Sequence, residues 1–377
     1  MKYCSNCLQP DTRPGTKFSD EGICPACDYY EKYKQVDWAE RAEILLGISE
    51  EYRNSSAQYD CIIGVSGGKD SFRQALWVRD YLKLRPLLVC VSYPPHQLTE
   101  IGSDNVSALI ESGFDLIQIC PAPETWRKLM AVAFDKYANW AKATELALFA
   151  GVPRVAIDYK IPLILWGENP GLQLGDLNTL GKFGYDGNNL RNMNTLDGGG
   201  LQWMLEEGFE AKDLIPYDYP SVKEFENHNI QIIYLGWFLG DWSLLNNGAI
   251  SSMLGIKIRS DKVNNTGDLY GVSSLDDDWV TLNQMIKYYK FGFGRATDYV
   301  NEMVRIGTIS RSYGIELVEK YDGVCSDEYI HQFCEFIGIT VHEFWEKVVS
   351  VVDKDLFTIV GPSEIKRKVE VGTGELL

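Results

Sequence analysis

The residues best suited to chemistry form one short loop, Ser66-Gly67-Gly68-Lys69-Asp70-Ser71. An apolar run over 61–65 precedes the loop and predicts a buried strand, and a helical pattern follows it. Adjacent glycines let backbone N–H groups approach an anion, and the start of a helix adds a positive dipole end. Lys69 contributes a full charge, and the two serines contribute hydroxyl donors. The loop therefore predicts a phosphate site, the alternative being a glycine turn before an ordinary helix.

This loop differs from the Walker A phosphate loop of many nucleotide-binding proteins. In Walker A the lysine is followed by Ser or Thr, and the glycines are separated by four residues. Here Asp70 follows the lysine and the two glycines are adjacent. We therefore expect a nucleotide to be held in another way.

Four cysteines near the start of the chain form two Cys-x-x-Cys pairs. The pairs, Cys4/Cys7 and Cys24/Cys27, are separated by sixteen residues, a spacing typical of a single tetrahedral metal site. Four thiolates leave no open position for water, so we expect a structural zinc ion. The alternative is a set of four unligated thiols.

A second polar turn follows the fourth predicted strand, 161–166. Gly167, Glu168 and Asn169 would lie at the carboxyl edge of a parallel sheet, where nucleotides bind, and so would Ser92 at the end of the second predicted strand. We predict that these residues contribute to nucleotide binding, and that Glu168 or Asp70 holds Mg²⁺. An Asn-Pro turn with a solvated glutamate is the alternative.

The stretch 287–298 interleaves basic residues with glycines and aromatic rings. Lys290 and Arg295 in it suit an anion with a flat partner, such as a nucleotide or released pyrophosphate. A solvated helix end is the alternative. Just upstream, the three aspartates 276–278 are expected to form a helix cap or a solvated turn.

Alternating strands and helices predict an α/β fold with a parallel sheet. We expect further strands at 87–92, 116–120 and 230–239, and helices at 72–84, 99–112 and 124–149. The predicted organisation is a zinc ribbon (1–30), connecting helices (31–58), a nucleotide-binding domain (59–275) with a substrate lid at 171–200, and a mostly helical region (276–377).

Composition limits the possible partners. The formal net charge of the 377 residues is −17, which disfavours broad binding to nucleic acid. Nine cysteines, an odd number, fit a reducing compartment. The sequence has no apparent signal peptide and no apolar run of about 18 residues, so we expect a cytoplasmic protein without membrane contact.

Taken together, these motifs resemble the N-acetyl sugar amidotransferase family of the ATP pyrophosphatase (PP-loop) superfamily. The resemblance rests on the four cysteines, on 65–71, on Trp166-Gly-Glu-Asn-Pro170 and on Lys290-Phe-Gly-Phe-Gly-Arg-Ala-Thr-Asp298. It implies an adenine nucleotide alpha hydrolase-like domain that uses ATP and Mg²⁺. It further implies catalytic roles for Lys69, Asp70, Lys290 and Arg295, and a reaction that releases AMP and pyrophosphate.

In this family an acetamido group on a nucleotide-linked or acidic sugar becomes an acetamidino group, in O-antigen or flagellin glycan synthesis. A glutaminase needs a nucleophilic cysteine with a histidine and an acid, and no such set is apparent here. We therefore expect the ammonia to come from a glutaminase and cyclase-like pair of partner chains. A tRNA-thiolating PP-loop enzyme and a non-catalytic zinc-ribbon adaptor are the alternative interpretations.

Overall fold

A five-stranded parallel sheet forms the centre of the computed structural model, which describes residues 1–53, 58–173, 175–176, 179–181, 183–193 and 195–377. The strands are β1 (Cys61–Gly64), β2 (Pro86–Val91), β3 (Leu116–Ile119), β4 (Leu163–Trp166), β5 (Gln231–Tyr234), β6 (Phe357–Ile359) and β7 (Ile365–Arg367). The order in the main sheet is β3-β2-β1-β4-β5, and β6 and β7 form an antiparallel hairpin. The predicted α/β fold with a parallel sheet is confirmed.

Helices cover both faces of this sheet and make up most of the C-terminal region. The α-helices of the described residues are α1 (Pro25–Tyr33), α2 (Trp38–Tyr52), α3 (Lys69–Asp80), α4 (Glu100–Glu111), α5 (Pro123–Tyr137), α6 (Ala141–Tyr159), α7 (Pro170–Gln173), α8 (Gln202–Glu206), α9 (Val222–Asn227), α10 (Leu235–Phe238), α11 (Leu244–Met253), α12 (Val263–Thr266), α13 (Val280–Phe291), α14 (Arg295–Arg305), α15 (Arg311–Tyr321), α16 (Asp327–Ile337) and α17 (Val341–Ser350).

Successive strand residues point to opposite faces, so each strand contributes to two cores. Ile62 and Ile164 pack with α5 and α6 in one core. Ile63 and Leu165 pack with α3 in the other. Burial of both faces explains why the strands read as unbroken apolar runs in the sequence.

Two predicted elements are divided in the structure. The predicted helix 124–149 is two helices, because Ala138 adopts a left-handed conformation (φ 45°) that ends α5. The predicted strand 230–239 ends at Tyr234, and α10 follows. The turn brings Gly236 so close to the chain at Glu168 that a side-chain carbon would lie 2.8 Å from the Glu168 carbonyl oxygen.

The aspartates 276–278 do not form a solvated turn. Asp277 is fully buried, and its carboxylate accepts hydrogen bonds from Gln97 Nε2 (2.8 Å) and Trp279 N (2.8 Å). Asp278 pairs with the buried Arg259. These contacts join the chain that enters α13 to Gln97 after β2 and to Arg259, so most of the acidic run belongs to the interior.

The predicted lid at 171–200 packs against the sheet where it is described. Asn188 accepts a hydrogen bond from Ile232 N (2.8 Å) and donates one to Ile230 O (3.0 Å), so the segment lies along the β5 edge. Positions 174, 177, 178, 182 and 194 of this lid, and 54–57 of the connecting segment, lie outside the described residues.

The cysteine ribbon packs on the C-terminal helices. Leu8 N donates to Asn301 Oδ1 on α14 (2.9 Å), and Arg311 on α15 donates to the Cys7 carbonyl oxygen (3.2 Å). The start and the end of the chain therefore form one packed unit. Among the helices described, none has the length and apolar character needed to cross a membrane.

Candidate nucleotide and metal sites

A cavity of about 250 Å³ opens at the carboxyl ends of β1 and β4. The strand order reverses between these two strands, which is the switch point where open α/β sheets bind ligands. The loop after β1 and the turn after β4 form its polar side. Its apolar side is formed by Val65, Val89, Val91, Leu148, Phe149, Val152 and Leu165. The cavity therefore offers both a polar and an apolar surface to one ligand.

The loop after β1 requires glycine at position 67. Gly67 has φ 86°, and a side-chain carbon there would lie 2.5 Å from the Gly102 carbonyl oxygen on α4. Asn105 Nδ2 also donates to the Gly67 carbonyl oxygen (3.0 Å). Helix α4 thereby fixes the loop, and the loop leads directly into the N-terminus of α3.

Asp70, in the first turn of α3, is held by two neighbours. Lys69 Nζ pairs with its Oδ2 (2.7 Å), and Asn247 Nδ2 on α11 donates to its Oδ1 (2.5 Å). The side chain of Asp70 remains 35% exposed and borders the cavity, whereas that of Lys69 is 9% exposed. In this structure Lys69 pairs with the lining residue Asp70 and is not itself among the described residues that line the cavity.

Two more carboxylates border the same cavity. Burial raises the pKa of Glu168 to about 7, Asp70 adds to the rise, and a hydrogen bond from Trp166 Nε1 (3.1 Å) opposes it. Burial also raises the pKa of Asp276. Glu168 can therefore exchange a proton near neutral pH, which an ordinary glutamate does not do.

The structure brings most of the predicted nucleotide-binding residues to this cavity. Those that border it are Ser66, Gly68, Asp70, Ser71, Gly167 and Glu168. Four of the predicted residues are not among the described residues that line the cavity: Gly67, Lys69, Ser92 and Asn169. Ser92 is turned into the structure beside the cavity-lining Tyr93, and Asn169 is fully buried, accepting from Leu172 N (3.2 Å) at the start of α7.

Lys290 and Arg295, whose catalytic roles stay predictions, are not among the described residues that line this cavity. Lys290 Nζ donates to the Tyr137 carbonyl oxygen (3.0 Å) and borders a second cavity. Arg295 donates to Ser274 Oγ (3.3 Å). The Gly-Phe-Gly segment between them starts a new helix, so the two side chains diverge.

Asp276, Gln74 and Tyr93 border the nucleotide cavity although the sequence did not indicate them. Asp276 lies in the acidic run before α13. The position of this run next to the apolar Trp279 was the sequence feature that could have indicated a buried carboxylate. Gln74 is one turn beyond the loop on α3, at helical spacing from Asp70. Tyr93 directly follows the predicted residue Ser92, so the residue that lines the cavity is one position later than the predicted one.

The carboxylates suit a magnesium ion that arrives with phosphate groups. Mg²⁺ usually keeps several waters and takes one or two carboxylates in addition to phosphate oxygens. Asp70, Glu168 and Asp276 offer such ligands, yet across the described ranges they do not form a ready-made three-ligand group. The donor set fits a shared metal site better than a site built by the protein alone.

The four ribbon cysteines form a metal site in geometric terms. Their sulfur atoms lie within 4.8 Å of one another, all four residues are buried, and Cys7 Sγ lies 3.7 Å from Cys24 Sγ. Thiolates around one tetrahedral ion at about 2.3 Å lie roughly 3.8 Å apart. An iron-sulfur cluster places its own atoms between the ligand sulfurs and needs a wider set, so the geometry fits a single ion.

Arg305 supplies positive charge beside these thiols. Burial by itself lowers the pKa of its guanidinium, but Cys7 and Cys27 raise it overall. Its Nη1 donates to the Leu172 carbonyl oxygen (2.8 Å), while its Nε is buried and has no partner in the part of the chain described. The guanidinium therefore offsets the negative charge of a tetrathiolate site and links it to α7, just after Glu168.

Four features characterise this protein. They are a parallel α/β sheet, a glycine-rich loop at the switch point of that sheet, a four-cysteine site and a helical C-terminal region. Residues 268–365 match the family described as "LPS biosynthesis protein WbpG-like, C-terminal domain". This match bears out the predicted resemblance over that part of the chain. None of the curated proteins matches.

Solved structures similar to this chain are distant. One is a predicted subunit of tRNA methyltransferase from Methanocaldococcus jannaschii, 14% identical, covering 60% of this chain and 86% of its own, with a TM-score of 0.28. Another is the U34-tRNA thiolase NcsA from Methanococcus maripaludis with its 4Fe-4S cluster, 13% identical, covering 89% and 95%, with a TM-score of 0.29. Both scores are too low to carry an argument.

Proposed function

We propose that this protein is the ATP-dependent synthetase subunit of an amidotransferase that converts the N-acetyl group of a sugar into an acetamidino group during lipopolysaccharide or related glycan synthesis. The observation that carries the proposal is the LPS-biosynthesis match at 268–365, because that segment supplies Asp276 to the nucleotide cavity. The matched region and the phosphate loop therefore act on one site.

The chemistry begins with an amide, which is a poor electrophile. The acetamido oxygen attacks the α-phosphorus of ATP, the bond between that phosphorus and the bridging oxygen breaks, and pyrophosphate leaves. The amide nitrogen loses its proton, which gives an O-adenylyl imidate. Ammonia then adds to the imidate carbon, and the C–O bond to AMP breaks to leave the amidine.

The residues of the nucleotide cavity have defined tasks in this scheme. The apolar wall around Phe149 and Val152 holds the adenine ring, and the loop from Ser66 to Ser71 with the start of α3 holds phosphate. Glu168, with a pKa near neutrality, accepts the amide proton. Asp70 and Asp276 would provide carboxylate ligands for Mg²⁺, which would neutralise phosphate charge.

The four cysteines hold zinc in this proposal. A single ion with four thiolates has no position left for water or substrate, so its role is structural. Ammonia comes from a glutaminase on partner chains, as the family resemblance implies. The protein works in the cytoplasm, where ATP is available.

The test is a product analysis. The purified chain is incubated with ATP, Mg²⁺, an ammonium salt and a panel of acetamido sugars that includes UDP-linked and nonulosonate forms. We expect AMP and pyrophosphate in amounts that match an amidine product detected by mass spectrometry. Formation of ADP, or AMP release that requires tRNA and a sulfur donor but no sugar, would contradict the proposal.

A further inference from the structure

A second cavity of about 450 Å³ lies beside the nucleotide cavity. Four parts of the chain contribute to its walls: the ribbon loop 13–16, the start of α6, described residues between 175 and 195, and the end of α13. Apart from α6, which borders both cavities, none of these parts lines the site described above. The cavity therefore requires its own explanation.

Buried oxygen atoms without partners line this second cavity. Among the described residues, no hydrogen-bond partner exists for Asn283 Oδ1 or Gln284 Oε1. Glu145 and Thr195 also line the cavity and interact with each other. Buried polar groups are nearly always hydrogen-bonded, and leaving one unpaired costs about 1–3 kcal/mol. Both amide oxygens accept hydrogen bonds, so a ligand that satisfies them carries donors, as the hydroxyl and amide N–H groups of an acetamido sugar do.

Basic and acidic side chains both face this cavity, namely Arg13, Lys287 and Lys290, and Glu145 and Asp176. Lys290 has a neutral carbonyl oxygen as its hydrogen-bond partner and forms no ion pair with any carboxylate of the described ranges. Lys287 is different, since it shares Asp298 with Arg13, and Nζ lies 2.8 Å from the carboxylate. Burial lowers the pKa of Lys290, and the charge of Lys347 lowers it further. An anionic group on a ligand would offset this by pairing with the ammonium.

Helix α6 joins the two cavities. Glu145 borders the second cavity, and Leu148 and Phe149, three and four residues later, border the nucleotide cavity. Such positions lie about 5–6 Å apart on one helix face. The second cavity therefore adjoins the apolar wall of the first.

We propose that the second cavity binds the acceptor as an anionic acetamido sugar, that Lys290 pairs with its anionic group, and that Glu145, Asn283 and Gln284 accept hydrogen bonds from its hydroxyl and amide groups. The ribbon loop 13–16 forms one wall, so the cysteine site shapes substrate binding from outside the nucleotide site. This inference rests on the proposed function for its assignment of the ligand as the acceptor.

The test measures sugar binding without ATP by titration calorimetry. The probes are N-acetylneuraminic acid, which carries a carboxylate, UDP-N-acetylglucosamine, which carries a diphosphate, and neutral N-acetylglucosamine. We expect at least one anionic probe to bind more tightly than the neutral one. The preferred probe then identifies the anionic group as a carboxylate or a diphosphate.

Three variants locate the binding. Lys290→Met and Gln284→Leu should each weaken the anionic probe about tenfold or more, whereas binding of a non-hydrolysable ATP analogue stays unchanged. Lys128→Met is the matched control, because Lys128 pairs with Glu124 on the outer face of α5 and its side chain is 57% exposed. It should change neither affinity.

Several results would overturn the inference: no binding of any probe, equal binding of the neutral and anionic sugars, competition between the probe and the ATP analogue, or unchanged affinity in both cavity variants. Sugar binding here without AMP formation would retain the sugar site and refute the reaction. Sugar-dependent AMP formation that is unaffected in either variant would retain the reaction and refute this site.

Discussion

At the scale of single residues, Glu168 is the carboxylate whose protonation matters most. Its folded-state pKa of about 7 lies above the ordinary value of 4.5. The folded protein therefore holds this proton to higher pH than the unfolded chain does. The stability that this proton contributes is present below pH 4.5 and is lost as the pH rises through about 7.

The first prediction is that Glu168→Gln stabilises the protein in alkaline solution, because a buried charge is removed. At a pH of about 8 we expect a gain of about 1–3 kcal/mol in the free energy of unfolding, and at a pH of about 4 almost none. Urea unfolding at both pH values measures it. The control is Glu124→Gln, at an exposed pair with Arg127, which should give no such pH-dependent gain. Equal effects of Glu168→Gln at both pH values would contradict the assigned pKa.

The same substitution should lower the rate of AMP formation. A positioned general base contributes about 10²–10⁴-fold, so we expect a loss within that range. In the unmodified protein the rate should rise with pH around neutrality, and Glu168→Gln should remove that rise. A variant with unchanged rate and pH profile would assign the proton transfer to another group.

Asp276 and Asp277 are adjacent residues with different expected roles. Asp276→Asn should lower AMP formation by roughly 10²-fold while the protein stays folded, because that side chain faces the cavity. Asp277→Ala should lower the free energy of unfolding by about 1–3 kcal/mol, because Gln97 and the Trp279 N–H would lose their buried acceptor. Activity assays and urea unfolding of both variants separate the two roles, and a reversed pattern would contradict the assignments.

At the scale of elements, the loop after β1 depends on its close contact with α4. Gly67→Ala should abolish ATP binding, because the new methyl group would collide with the Gly102 carbonyl oxygen. Gly113→Ala is the control: Gly113 also has positive φ (92°) but has no atom within 4 Å of the added carbon. We expect it to cost about 1 kcal/mol of stability and to leave ATP binding intact. Loss of ATP binding in both variants, or in neither, would argue against the steric explanation.

The cysteine ribbon should hold one zinc ion per chain. Removal of the metal by a chelator should unfold the ribbon, release Arg13 from Asp298, and weaken sugar binding more than ATP binding. Metal analysis with calorimetry for each ligand measures this. Iron with visible absorption, or a metal-free protein with full affinity for the sugar, would contradict it.

The sequence predicted most of the elements because each carries its own local signal. The strands are continuous apolar runs, and Thr99 caps α4 with a side-chain hydrogen bond. The break at Ala138 was missed because no local signal in the sequence indicates a left-handed alanine. The strand end before Gly236 was missed because it depends on close approach to Glu168, which is distant in the chain. The position of Lys290 beside the second cavity follows from packing of α13, which no local motif encodes.

At the scale of the whole molecule, the two cavities lie along α6. Residues from the N-terminal and the C-terminal parts of the chain contribute to their walls. The ribbon at the N-terminus and the region matched at 268–365 meet across the second cavity, at Arg13 and Asp298. No sequence pattern links residues 285 positions apart. This is why the phosphate loop and the cysteine site could be predicted, whereas the second cavity could not.

The central claim is that the sugar's acetamido oxygen attacks the α-phosphorus of ATP. The most direct measurement uses an acetamido sugar whose carbonyl oxygen carries a heavy isotope, with ATP, Mg²⁺ and ammonium, and follows the label by mass spectrometry. The account predicts that the label appears in AMP and is lost from the sugar as the amidine forms. Label that remains in the sugar, or appears in inorganic phosphate together with ADP, would contradict it.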